Sequence, residues 1–97
     1  MELKVFSIYD IDAQAYNNPF FMLTQAEARR AIVSLSMDGD HMFSKFPHKF
    51  ELFMVGRFDN LTGKFDQTEF NSLGTVASNK VDQHNVETLY PSKEESA

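Results

Sequence analysis

Cations and aromatic rings alternate in the middle of this 97-residue chain. Lys45-Phe46, Lys49-Phe50 and Arg57-Phe58 follow one another, and Arg29-Arg30 forms a basic pair upstream. Single-stranded nucleic acid is bound by rings that stack on bases and by cations that follow the phosphates, with stacking contributing roughly 1–3 kcal/mol per base. The pattern therefore predicts a nucleic-acid-binding set made of Arg29, Arg30, Lys45, Phe46, Lys49 and Arg57.

The same pattern also has a purely structural interpretation. Ten phenylalanines in so short a chain must mostly be buried, and the cations beside them are then their solvent-side neighbours. The residues alone favour this interpretation over nucleic-acid binding, and both remain open at this point.

Motifs for metal binding or catalysis are not evident. The three histidines, His41, His48 and His84, lack the spacing of a zinc site. The Asp38-Gly39-Asp40 segment lacks the other oxygen ligands of an EF-hand loop. The sequence has no glycine-rich phosphate loop and no nucleophile elbow. We therefore expect no metal, no cofactor and no enzymatic activity.

The net charge of −5 is unevenly distributed. Residues 1–58 contain six Lys/Arg and seven Asp/Glu, whereas residues 59–97 contain three and seven. Ten of the thirteen aromatic residues lie in 1–58. A globally acidic protein lacks the broad basic field that drives non-specific binding to duplex DNA. Any binding to nucleic acid must therefore come from a local surface.

Composition indicates one folded domain outside the membrane. No apolar run approaches the roughly 20 residues of a membrane helix. The absence of cysteine excludes disulfides and is compatible with a reducing compartment. The first predicted strand begins at residue 3, so we expect no secretion signal and a cytoplasmic location.

Two long segments have the pattern of central strands. Residues 3–10 are apolar on both sides of an extended chain, and so are residues 50–58. In the second segment the alternation places Phe50, Leu52, Met54 and Phe58 on one face. Gly56 marks a bulge or a close approach. A turn with Gly63 at positive φ then leads into a short return strand over 64–66.

The clearest local signal predicts an amphipathic helix over residues 25–37. Thr24 and Glu27 have the spacing of a capping box. Ala28, Ile32 and Leu35 recur at helical spacing, and Gly39 is suited to a left-handed cap after the helix.

Together these elements predict a small α+β domain over residues 1–76. A mainly antiparallel sheet of three to four strands, including a short one over 20–23, carries the single helix. Beyond residue 70 the apolar pattern weakens, so we expect residues 77–97 to form an acidic, weakly structured and flexible tail.

A family resemblance covers residues 3 to about 75. The chain is similar to the small nonstructural protein of gokushovirus-type microviruses, which are single-stranded DNA bacteriophages. The segments that carry the resemblance, in order, are Lys4–Asp10, Tyr16, Pro19-Phe20-Phe21, Phe43-Ser44-Lys45, Leu52-Phe53, Gly56–Asp59 and Thr62-Gly63.

The resemblance implies a role in synthesis or packaging of the single-stranded genome in the host cell cytoplasm, through DNA binding. With it, single-stranded DNA binding becomes the leading hypothesis. A homodimer would align two copies of the predicted cations and offset the net negative charge. The alternative is a protein-interaction module that binds a host or viral replication or capsid protein through exposed apolar residues or a free sheet edge.

Overall fold

The computed structural model describes the backbone of residues 1–89 and the side chains of residues 1–82. In this part of the chain six strands and three helices occur in the order β1 (Glu2–Asp10), β2 (Ala15–Tyr16), β3 (Phe20–Met22), α1 (Gln25–Ser36), α2 (Met42–Lys45), β4 (Phe50–Asp59), β5 (Lys64–Asp66), β6 (Asn71–Thr75) and α3 (Val76–Leu89). The α+β class is confirmed. The expected three to four strands and single helix were too few.

The sheet is built around β1 and β4. These two strands pair antiparallel over their full length, from Glu2 opposite Asp59 to Asp10 opposite Phe50. β2 and β3 pair with the other edge of β1, while β5 and β6 pair with the other edge of β4, and all these pairings are antiparallel. The two long segments are therefore central strands, as their apolar pattern predicts.

The strands that the sequence did not reveal are short and exposed. β2 has only two residues, and in β6 Leu73 alone is buried. Such segments lack an alternating apolar pattern, so their extended form depends on hydrogen bonds to a long neighbouring strand.

The prediction for α1 is confirmed at its start and adjusted at its end. The Thr24 hydroxyl accepts a hydrogen bond from the Glu27 N–H, and the Glu27 carboxylate accepts one from the Thr24 N–H, both at 3.1 Å. The helix ends at Ser36 with Met37 as its C-cap in right-handed conformation. Gly39 does not have a positive φ, so the predicted left-handed cap is absent.

One face of the sheet forms the core with the helices. Phe6, Ile8, Leu52 and Met54 from the central strands pack against α1, α2 and the start of α3. Val76, the first residue of α3, is also fully buried. The segment expected to be a weakly structured tail from residue 77 thus begins as helix through Leu89. The division of the chain at residue 76 remains a prediction, and residues 90–97 of the expected tail lie outside the described residues.

A β-bulge changes the direction of the side chains in β4. Val5 pairs with Gly56 and Phe6 pairs with Met54, so Val55 is an extra residue between them. The bulge reverses the alternation that follows it. Phe58 therefore lies on the face opposite Met54, and the prediction that it shares that face was wrong.

Gly56 is also a point of close approach, as its position in the strand suggested. A Cβ atom at residue 56 would lie 2.7 Å from the backbone oxygen of Asp66. This oxygen belongs to β5, so it can move away only if that strand shifts.

We expect Gly56→Ala to lower the free energy of unfolding by about 1–3 kcal/mol, the usual penalty for overpacking. Gly39→Ala is the matched control, because a Cβ there has nothing within 4 Å. Urea denaturation of both variants measures the difference. Equal stabilities for the two variants would contradict the close approach.

Candidate nucleic-acid interface

The two arginines of the predicted set in α1 have different surroundings. The Nη1 atom of Arg29 donates hydrogen bonds to the Leu73 carbonyl oxygen at 3.0 Å and to the Asn79 Oδ1 at 2.8 Å. Arg29 therefore connects α1 to β6 and α3. Arg30 is exposed and lines an open groove together with Phe21 and Leu23.

Arg57 is paired with two carboxylates. Its Nη1 atom lies 2.7 Å from the Glu2 Oε1, and its Nη2 atom lies 2.6 Å from the Glu69 Oε1. The hydrogen bonds to Glu2 and Glu69 raise the pKa of the Arg57 guanidinium above its usual value. Its charge is offset locally, which weakens its capacity to attract a phosphate.

Lys45, Phe46 and Lys49 lie together where β4 begins. Lys45 ends α2, while Phe46 and Lys49 line a cleft beside Asp10 and Asp12. The Lys49 Nζ lies 3.2 Å from the Asp12 Oδ1. Lys45 forms no ion pair with the side chains of residues 1–82.

The six predicted residues do not form one surface. Arg57 and Phe50 of β4 pair with Lys4 and Asp10, which are six residues apart in β1, and this corresponds to about 20 Å at the rise of an extended strand. The arginines of α1 belong to the helical layer on one face of the sheet. The structure brings together Lys45, Phe46 and Lys49 and separates them from Arg57.

The opposite face of the sheet carries the aromatic residues that sequence reasoning did not group. Leu3, Val5, Ser7 and Tyr9 alternate with the core residues of β1, so their side chains lie on the face away from α1. Val5 is only 4% exposed but is not part of the core beneath the helices. Residues paired with these positions share the same face.

Four rings form what we call the tyrosine cluster: Tyr9, Tyr16, Phe53 and Phe70. Tyr9 and Tyr16 are paired between β1 and β2, with ring centroids 4.8 Å apart. The Phe53 ring lies 5.5 Å from Tyr16 and 5.5 Å from Phe70. The cluster connects strands β1, β2 and β4 to the segment just before β6.

Three further rings form what we call the phenylalanine cluster: Phe21, Phe58 and Phe65. Phe58 and Phe65 are paired between β4 and β5, with centroids 4.7 Å apart, and Phe21 of β3 lies 5.6 Å from Phe58. Because of the bulge, Phe58 lies on this face instead of in the core.

These seven rings form an exposed aromatic face of the sheet. The exposed fractions are 46% for Tyr16, 43% for Phe21, 62% for Phe65 and 55% for Phe70. Contact with neighbouring rings stabilises each of them by about 0.5–1.5 kcal/mol, but it leaves much of their area in water. Exposed apolar groups of this kind typically mark a binding surface.

The charged groups beside the aromatic face are largely acidic or paired. Asp59 and Asp66 follow two rings of the phenylalanine cluster, and the Leu61 and Thr68 N–H groups donate to their carboxylates at 2.8 and 2.9 Å. These hydrogen bonds lower the pKa of Asp59 and the pKa of Asp66, so both are ionised at neutral pH. Lys64 lies opposite Asp59 in the hairpin.

Two phenylalanines of the sequence could have indicated the aromatic face. Phe65 and Phe70 are large rings in a region that is otherwise polar and acidic. A hairpin that pairs Phe65 with Phe58 directs both rings to one side of the sheet. The cation–ring alternation instead pointed to Phe46, which is 48% exposed but belongs to neither cluster.

The described residues show neither a metal-binding cluster nor a membrane-spanning helix. Across residues 1–82 no three His, Asp or Glu side chains are grouped to hold a metal ion, and the Nδ1 of His41 accepts from the Phe43 N–H to cap α2. None of the helices described for this chain has the length and apolar character needed to cross a membrane.

Comparison with known proteins gives one family match. Searches of curated proteins and of solved structures find no significant match. The profile of the family described as Phage ORF5 protein matches residues 3–79, a range that contains the sheet from Leu3 onward, α1 and all seven rings of the aromatic face. The chain therefore belongs to the Phage ORF5 protein family and is a small phage-encoded protein.

Proposed function

We propose that this phage protein binds single-stranded DNA through its aromatic face, without enzymatic activity, during genome synthesis or packaging in the host cytoplasm. Membership of the phage family and the resemblance to the gokushovirus-type nonstructural protein support the biological setting. The observation that carries the proposal is the aromatic face, with its two clusters of partly exposed rings on one side of a sheet.

The chemistry of the aromatic face suits unpaired bases. Every base has a π-face, and stacking on an aromatic side chain contributes about 1–3 kcal/mol per base with little dependence on sequence. Sheets that present rings to single-stranded nucleic acid are a common solution, because the strands hold the rings at fixed spacing. Duplex DNA keeps its bases stacked internally, so this face favours single strands.

We expect the rings to contribute more to the binding free energy than the predicted cations do, because most of these cations are paired within the protein. Arg29 and Arg57 are engaged within the protein, and Lys49 is paired with Asp12. For a single strand, the logarithm of the binding constant falls with the logarithm of the salt concentration by about 0.7 per neutralised phosphate. We therefore expect binding with a shallow salt dependence, corresponding to about one or two phosphate contacts.

The test is fluorescence anisotropy of labelled single-stranded and duplex oligonucleotides at two salt concentrations. We expect wild-type protein to bind the single strand, and Phe65→Ala combined with Phe70→Ala to weaken binding at least about tenfold, since each ring supplies roughly 1–3 kcal/mol of stacking. Phe46→Ala is the matched control, because it removes a similarly exposed ring outside the aromatic face.

Two results would count against the proposal. One is the absence of single-strand binding by the wild-type protein. The other is an equal loss of affinity in the control and in the double variant, since this would place the contact outside the aromatic face.

A second candidate function is a protein-interaction module for a host or viral replication or capsid protein. The acidic residues Asp59 and Asp66 beside exposed rings favour it, because an apolar patch with an acidic border also suits a protein with a basic surface. Pull-down from nuclease-treated lysate of infected cells tests this candidate. A partner retained by wild-type protein and lost in the double variant would support it over DNA binding.

The predicted homodimer is a separate question. The dimer was predicted because it would align two sets of cations. Arg29 and Arg57 are hydrogen-bonded or ion-paired within one chain, so fewer cations remain for such an alignment. Analytical ultracentrifugation with and without oligonucleotide measures the oligomeric state directly.

A further inference from the structure

We infer that the aromatic face contains two separate base-stacking sites, so that tight binding requires a single strand long enough to reach both. This inference rests on the proposed function and adds the size of its ligand. Its basis is the division of the rings into the tyrosine cluster and the phenylalanine cluster. Among the side chains of residues 1–82, no ring contact joins the two clusters.

The strip between the clusters on β1 and β4 contains Val5, Gly56 and the chain at Asp66 and Gln67, none of which carries a ring. On β4, the Asp66 carbonyl oxygen and the Gln67 side chain lie 2.7 and 3.4 Å from where a Cβ of Gly56 would be. On β1, the residue paired with Gly56 is Val5, an aliphatic side chain that is only 4% exposed. Above β1 and β4 a base on this strip meets no ring, so stacking on these two central strands is restricted to the two ends of the face.

The distance between the sites sets the length of the ligand. Phe53 and Phe58 pair with Ser7 and Leu3, which are four residues apart in β1, and this corresponds to about 13–14 Å along a strand. Stacked nucleotides in one strand are spaced by about 3.4 Å, so roughly four of these spacings cover the distance. A trinucleotide reaches one cluster only, whereas an octanucleotide reaches both. This length lies within the range of about 4–16 nucleotides seen for single-strand sites.

A longer oligonucleotide gains some affinity simply because it can bind in more registers, that is, with more choices of which nucleotides contact the protein. A strand that contacts both clusters at once gains affinity beyond this statistical factor. Once one end of an oligonucleotide is stacked, the other end is held near the second cluster at an effective concentration in the millimolar range. The affinity of oligothymidines should therefore rise by at least about tenfold between three and eight nucleotides, after correction for the number of binding registers, and should then level off.

The experiment titrates oligothymidines of three, five, eight and twelve nucleotides into wild-type protein, Phe65→Ala and Phe70→Ala, with NMR or calorimetry for the shortest. Each single variant removes an exposed ring from one cluster and leaves the other cluster intact. We expect wild-type protein to show the increase with length. Each variant should lose most of that increase while binding the trinucleotide within about twofold of wild type.

The outcomes separate the inference from the proposed function. If affinity rose with oligonucleotide length only in proportion to the number of binding registers, the two-site inference would be overturned and single-strand binding would stand. The same would follow if one variant lost affinity equally at all lengths while the other variant had no effect, since this indicates one site. The absence of binding at every length would overturn both.

Discussion

Replacing Phe6 with alanine is expected to lower the free energy of unfolding by about 3–5 kcal/mol. The Phe6 side chain is completely buried at the centre of β1, opposite Met54, and its ring centroid lies 5.7 Å from that of Phe20. Its removal leaves a cavity between the sheet and α1. Because small domains have a total stability of about 5–15 kcal/mol, this single change removes a large part of it.

The matched control is Phe65→Ala, which removes the same side chain from the aromatic face. We expect a loss of about 0.5–1.5 kcal/mol, because Phe65 is largely exposed and is stabilised mainly by ring contacts. Chemical denaturation followed by far-ultraviolet circular dichroism measures both variants. If Phe65→Ala destabilised the protein as much as Phe6→Ala does, the aromatic face would be a second core and not a binding surface.

Replacing Asn79 with leucine is expected to lower the free energy of unfolding by about 2–4 kcal/mol. The Asn79 amide is fully buried, donates to the Leu73 and Thr75 carbonyl oxygens at 3.0 and 2.8 Å, and accepts from Arg29. The substitution removes all three of these hydrogen bonds. Because the Thr75 oxygen keeps the Ser78 hydroxyl as a donor and Arg29 keeps the Leu73 carbonyl as an acceptor, the expected cost is that of the lost bonds, about 0.5–1.5 kcal/mol each and more for the bond to the charged Arg29. The Asn79 side chain therefore connects the start of α3 to α1 through its hydrogen bond with Arg29.

A double-mutant cycle with Arg29→Met isolates the hydrogen bond between Arg29 and Asn79. Residues in direct contact typically show an interaction energy of 0.5–3 kcal/mol, and additive effects of the two substitutions would contradict the coupling. Arg30→Met is the control, because the adjacent arginine is exposed and is not hydrogen-bonded to Asn79. We also expect Arg29→Met, if folded, to retain oligonucleotide affinity, although the sequence placed Arg29 in the binding set.

Several features of this protein were determined by short stretches of sequence. The capping box at Thr24 fixes the start of α1, and Gly63 adopts the positive φ of 75° that the turn before β5 requires. Each depends on backbone and side-chain groups within a few residues of one another. The long apolar runs of β1 and β4 likewise specify central strands, because a strand covered on both sides needs apolar residues on both.

Only the tertiary structure decided which of the predicted site residues make contacts within the protein and which rings share a face. Arg29 meets Asn79 across 50 residues of sequence, and Arg57 meets Glu2 across 55, so no local pattern distinguishes these arginines from free surface cations. The bulge at Val55 transfers Phe58 from the core to the aromatic face. The spacing of residues along a chain determines local hydrogen bonds and periodicity, whereas strand register and long-range pairing determine which rings cluster and which charges are neutralised.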